Sequence, residues 1–249
     1  MPRSRSAVSR SDLERMKRTN RRLLIVMLVT VIGTLAVVAW VLATNFPGRQ
    51  TPRTFQERQL VMLETVVKQK PQSEEAWADY ILALVAAKQY SKAEQVINQA
   101  EKTLGPNVID ILYVKARLSA ARGDSDEALA LVDKAIKAGL EFRKRELERL
   151  AEMGTFPDPK VIKGPVLASA YYFQAQLYAD KRMWEEAVES LTKSLEEEPA
   201  SADALVMRGN AYLEMGKAES ATADFEKALK FIPGYAPAVE GLKKAEDLK

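Results

Sequence analysis

The chain has 249 residues, 47% hydrophobic and 29% charged, with 11 glycines, 11 prolines and 7% aromatics; that length and balance suit one large or two modest folded domains, helical rather than sheet-rich. It contains no histidine and no cysteine. This removes Ser-His-Asp and Cys-His catalysis, His- or Cys-held zinc, axial-His haem, iron–sulfur clusters, disulfides and a lipid anchor on an N-terminal cysteine.

The net charge of +3 is unevenly spread. Residues 1–22 hold eight Lys/Arg and two Asp/Glu, a net +6, so residues 23–249 sum to −3. The main domain therefore lacks the basic balance that nucleic-acid binding requires. Residues 1–22 read as a basic cytoplasmic tail, in which Ser11 and Glu14 form a capping box.

Residues 23–43, LLIVMLVTVIGTLAVVAWVLA, carry no charge. At ~1.5 Å per residue they reach ~32 Å, enough to cross a hydrocarbon core. The expected transmembrane anchor is 23–44, with Trp40 and Phe46 near its far interface. Eight cations precede it, and Arg49, Arg53 and Arg58 follow. That bias predicts a single-pass cell-membrane protein with a cytoplasmic N-terminus and an extracytoplasmic C-terminal domain. The competing reading is a signal peptide cleaved after Val41-Leu42-Ala43. Signal cores run ~7–15 residues, shorter than this one.

Residues 45–53, NFPGRQTPR, read as a linker. Thr54 with Glu57 predicts a capped helix presenting Leu60, Leu63 and Val67 on one face and ending by Pro71.

From there the chain repeats itself. Leu205, Gly209, Tyr212, Ala221, Phe225, Ala228 and Pro233 form one set. Stepping back 34 residues gives Tyr171, Ala175, Tyr178, Ala187, Leu191, Ser194 and Pro199. Trp77, Ile81, Leu84, Ala93, Ile97, Ala100 and Gly105 form a third set, and Leu112, Ala116, Ser119, Ala128, Val132, Ala135 and Leu140 a fourth. The pattern resembles the tetratricopeptide repeat (TPR), W-x2-L-G-x2-Y…A-x3-F…P at a period of 34. The resemblance implies an all-α solenoid of about four helix-turn-helix repeats, near 74–107, 109–139, 168–201 and 202–235. The helix at 54–70 and another at 236–248 serve as caps. Small residues such as Gly209 and Ala221 let paired helices approach. Trp77, Tyr178, Tyr212 and Phe225 fill the space between hairpins.

The second and third copies are 59 apart rather than 34 or 35. An insertion near 139–164 accounts for this, read as a charged helix with Leu147, Leu150 and Ala151 inward, then a loop containing Gly154, Pro157, Pro159 and Gly164. It is either a tolerated surface insertion or a binding or regulatory element.

No P-loop, dinucleotide, zincin or EF-hand pattern occurs. Glu185-Glu186 suits a helix start, and Glu196-Glu197-Glu198 reads as a solvated acidic turn. No catalytic, cofactor or metal residue is expected, and the chain is read as a non-enzyme. The TPR resemblance implies that the first helix of each hairpin lines a concave face, placing Leu82, Tyr113, Arg117, Tyr172, Gln176, Asn210 and Leu213 there. Asp110, Asp203 and Glu214 add negative charge. Tyr113 and Tyr172 serve either as groove contacts or as packing between hairpins. TPR domains that clamp chaperone C-terminal carboxylates use Lys, Asn and Arg on these helices. Only Asn210 matches, with Glu75, Ala78 and Leu82 on the first repeat. The groove should prefer apolar or basic peptides or helices.

The resulting expectation is a membrane-anchored scaffold or adaptor binding a protein or peptide client in envelope-complex assembly. The anchor-plus-TPR layout also resembles the apoprotein-chaperone subunits of cytochrome c maturation. A third reading is a regulatory accessory subunit of a membrane enzyme or secretion system.

Overall fold

The computed structural model describes residue 34, residues 54–157 and residues 166–248. The basic tail, most of the 23–44 anchor, the 45–53 linker and residues 158–165 of the insertion lie outside the described residues. Thr34 is helical and exposed. Among the described residues no helix is long and apolar enough to cross a membrane.

Thr54–Lys249 forms a compact unit of its own. Its described residues form ten helices: α1 (Phe55–Gln69), α2 (Glu74–Ala86), α3 (Tyr90–Leu104), α4 (Ile109–Ala121), α5 (Ser125–Glu152), α6 (Leu167–Asp180), α7 (Trp184–Glu197), α8 (Ala202–Glu214), α9 (Ala218–Phe231) and α10 (Ala236–Glu246). Short polar residues start several of them. Thr54 and Glu57 exchange side-chain-to-backbone hydrogen bonds of 3.1 and 3.0 Å across the first turn of α1. Ser73, Asp124 and Ser201 cap α2, α5 and α8.

The helices pair as hairpins: α2 with α3, α4 with α5, α6 with α7 and α8 with α9. Each hairpin turns through a residue of positive φ at one register position, namely Lys88 (57°), Gly123 (93°), Arg182 (58°) and Gly216 (70°). The first helices also line up, α2 against α4 and α8 against α10. Apolar side chains fill the space from α1 to α10 in overlapping clusters.

Phe225 of α9 is fully buried. Its ring edge lies against the backbone of Gly209 on α8 and of Gly241 on α10. A Cβ on Gly209 would sit 2.6 Å from Cε1 and 2.8 Å from Cζ, and one on Gly241 would lie 2.8 Å from Cδ1 and closer to the ring tip. One aromatic ring thus locks the last hairpin to its cap, and only glycine leaves room on either side.

The insertion differs from a separate helix. α5 runs unbroken from Ser125 to Glu152, with Gly139 buried inside it. Leu147, Leu150 and Ala151 are half-buried on the extension. Glu197 also departs from the expected solvated turn, because it forms a largely buried ion pair with Arg143 of the extension.

A polar ladder crosses the hairpins. Tyr80, Lys115, Gln174 and Arg208 share one register position, and each donates back to the preceding helix. The partners are Glu64 (3.2 Å), Glu101 (2.7 Å), Asp133 (2.6 Å) and Thr192 (3.0 Å). Gln174 also accepts from Ser190 at 2.8 Å, and Arg208 grips Asp224 with two bonds of 2.8 and 2.7 Å. The buried members of this ladder, Gln174, Ser190 and Asp224, are thereby satisfied.

Candidate functional site

The aligned first helices bring polar and aromatic side chains of α2, α4, α6, α8 and the start of α10 onto one face. Tyr113 of α4 meets Phe173 of α6 edge to face, with ring centroids 6.0 Å apart. The Arg117 guanidinium lies 4.7 Å from the centroid of the same Phe173 ring. Phe173 is buried, whereas Tyr113 and Arg117 are half-buried. A stacked guanidinium is fixed in direction and retains donors toward solvent. Burial raises the Tyr113 hydroxyl pKa, and Arg117 beside it acts in the opposite sense.

Tyr172 projects from the next helix and is half-buried. Its pKa is raised, first by burial and then by the Asp203 carboxylate. A hydrogen bond from Gln176 and the charge of Arg117 oppose this. Asp203 accepts a hydrogen bond from the Tyr235 hydroxyl at the head of α10. Tyr113 and Tyr172 line a cavity of about 190 Å³ with Ala168, Ser169, Ser194, Glu198, Ser201 and Asp203.

Of the residues singled out from sequence, Tyr113 and Tyr172 share this cavity, Arg117 lies against Tyr113 and Phe173, and Gln176 hydrogen-bonds Tyr172. Asn210 is exposed, and Leu213 is half-buried against the C-terminal cluster. Neither lines the cavity. Leu82 is half-buried against the N-terminal cluster. At the other end of the face, Asp110 is raised to about 6 by burial, by the neighbouring Glu74 carboxyl and by Glu75. Two carboxylates crowded into a half-buried position cannot both keep their charge cheaply.

Sequence reasoning missed Ser169, Ser194, Ser201 and Glu198 in the cavity wall. Ser201 carries a readable signal as the N-cap of α8, and Ser194 stands in the second repeat set at the position of Ala228. Among the described residues no group of three or more Asp/Glu is placed to hold a metal ion.

Residues 169–236 match the family model for the tetratricopeptide repeat. The fold agrees with solved structures. A thermophilic TPR protein of Thermus thermophilus, TTC0263, is 18% identical over 75% of this chain and 88% of its own, with a TM-score of 0.54. The described domain has the fold of a TPR solenoid. A tetratricopeptide repeat protein from Parabacteroides merdae is 21% identical over 77% of this chain and 64% of its own, at a TM-score of 0.53. No curated protein sequence matches the chain.

In TPR terms, the hairpin partners are α2/α3 through α8/α9, and the face carrying Tyr113 and Tyr172 belongs to the first helices. Its chemistry combines amphipathic rings, amides and hydroxyls with an excess of carboxylate.

Proposed function

We propose that this chain is a membrane-anchored scaffold that holds a protein or peptide partner on the first-helix face of its TPR domain. The domain stands outside the cytoplasmic membrane and serves assembly of an envelope complex, without catalysis of its own. The TPR fold is consistent with an interaction scaffold, which is the coarse part of this reading. The observation that carries the binding face is the cavity between Tyr113 and Tyr172, lined also by Glu198 and Asp203, with Gln176 hydrogen-bonded to Tyr172. The anchor and orientation are supported by the 21 uncharged residues at 23–43 and the net +6 before them. The absence of histidine and cysteine supports the non-enzymatic reading.

The test is a crosslinking pull-down of the full chain from membranes, comparing the natural sequence with Tyr172→Ala/Asn210→Ala. A partner captured by the former and lost from the latter is the expected result. Equal capture by both removes the first-helix face as the site. In parallel, protease added to intact spheroplasts should digest residues 54–249. Protection until lysis contradicts the orientation.

A further inference from the structure

We infer that the cavity between α4, α6 and α8 receives a cationic side chain, lysine or arginine, of the bound protein partner. This rests on the reading of the first-helix face as the partner-binding surface. The cavity wall is rich in acceptors and includes no cation: the carboxylates of Asp203 and Glu198, the hydroxyls of Ser169, Ser194 and Ser201, and the rings of Tyr113 and Tyr172. Among the described residues, neither Asp203 nor Glu198 forms an ion pair with a lysine or arginine of this chain. Other carboxylates on the domain do, such as Glu101 with Lys115 and Asp224 with Arg208.

The wall is also arranged to accept. Ser194 Oγ donates its proton to the Ala168 carbonyl at 2.9 Å, leaving lone pairs for the cavity. The Tyr235 hydroxyl donates to one Asp203 oxygen and fixes that carboxylate, whose remaining lone pairs stay available. Tyrosine rings beside carboxylates suit a cation twice over, through ring quadrupole and charge. Arg117 stacks on Phe173 beside Tyr113 and is not itself among the wall residues.

Size and charge sharpen the assignment. About 190 Å³ is below the ~300–1,000 Å³ of sites that enclose whole small ligands. It suits one long side chain reaching in from a peptide that lies across the helices. Asp110, a half-buried carboxyl farther along this face, is raised to about 6 by burial and by Glu74. A basic residue of the partner seated between the Asp203 and Glu198 carboxylates fixes the register of the peptide along the helices.

The experiment uses the full chain in detergent micelles against a positional-scanning library of acetylated decapeptides. The natural sequence should retain peptides with lysine or arginine enriched at one position by about tenfold. Replacement of that residue by citrulline or glutamine should abolish the enrichment. Asp203→Asn/Glu198→Gln should lose it while still binding apolar members of the library, and Asp110→Asn should keep it. Binding without any basic preference, or a preference that survives Asp203→Asn/Glu198→Gln, overturns the inference and leaves the binding face standing. Peptide binding unaffected by Tyr172→Ala, or no binding at all, overturns the face and the inference together.

Discussion

Substituting Gly241 by alanine places a methyl group against the most enclosed aromatic ring in the domain. The new Cβ would lie 2.8 Å from Phe225 Cδ1 and closer to Cε1 and Cζ, where ordinary contact begins at 3.4 Å. The ring has no free direction of retreat. Its same edge faces Gly209, where a Cβ would sit 2.6 Å from Cε1, and Phe225 is fully buried. Overpacking of this kind costs ~1–3 kcal/mol. The helix interior returns ~0.5–1 kcal/mol when glycine becomes alanine. The net loss therefore lies between ~0 and ~2.5 kcal/mol, centred on ~1 kcal/mol, and a domain of this size loses ~2–4 °C of melting temperature per kcal/mol. Circular dichroism of the full chain should show a lower transition, with α10 released first because it packs only on α8 and α9. A shorter side chain should relieve the clash. In a cycle with Phe225→Leu, the two changes should couple favourably by ~1 kcal/mol or more. A raised melting temperature for Gly241→Ala, or additivity with Phe225→Leu within ~0.5 kcal/mol, would refute the locked-ring reasoning.

Four further variants test the same structure. Arg208→Met leaves Asp224, only 5% exposed, without its bidentate partner; urea unfolding should show a loss of ~3–5 kcal/mol, largely recovered in Arg208→Met/Asp224→Leu. Tyr113→Ala removes a ring packed on Phe173 and should cost ~3 kcal/mol, like other large-to-small core changes. Tyr172→Ala should cost far less stability while weakening partner binding by ~2 kcal/mol, read by paired melting and affinity measurements. Asp110 is raised to about 6, so the fold favours its protonated form. That stabilisation is complete below the ordinary Asp pKa of ~4 and is lost as pH rises through about 6. Asp110→Asn should therefore melt above the natural chain at pH 7.5 and level with it at pH 4, and a constant offset across that range would contradict the assignment.

The all-α solenoid was legible because it rests on spacing. Small and apolar residues at 34 or 35 positions mark which helix faces meet, and Ala93, Ala128, Ala187 and Ala221 are all fully buried. Less legible were features whose meaning depends on a neighbour in space. Gly241 lies in the cap, outside the repeat motif, and its necessity appears only when Phe225 is seen against it. The ladder of Tyr80, Lys115, Gln174 and Arg208 keeps the register but changes chemistry at every step, so no motif of residue types describes it. The hairpin turns behave alike: Gly123 and Gly216 advertise positive φ, whereas Lys88 and Arg182 adopt it where the following N–H, of Gln89 or Met183, closes a backbone bond to Leu84 or Tyr178. The long α5 was obscured by Gly139, a residue that often ends helices and here is buried inside one. The cavity drew its serines and Glu198 from α6, α7 and the turn before α8, segments read from sequence as packing and solvated turn.

The central claim, that a partner lies along the first helices, is tested most directly by site-specific photocrosslinking in cells expressing the full chain. A benzoylphenylalanine probe would replace Tyr172 or Asn210 on that face, and Lys134 or Lys227 on the exposed sides of α5 and α9. The account predicts one discrete adduct from positions 172 and 210 and none from 134 and 227. Adducts only from 134 and 227, or equal yields from all four positions, would contradict it.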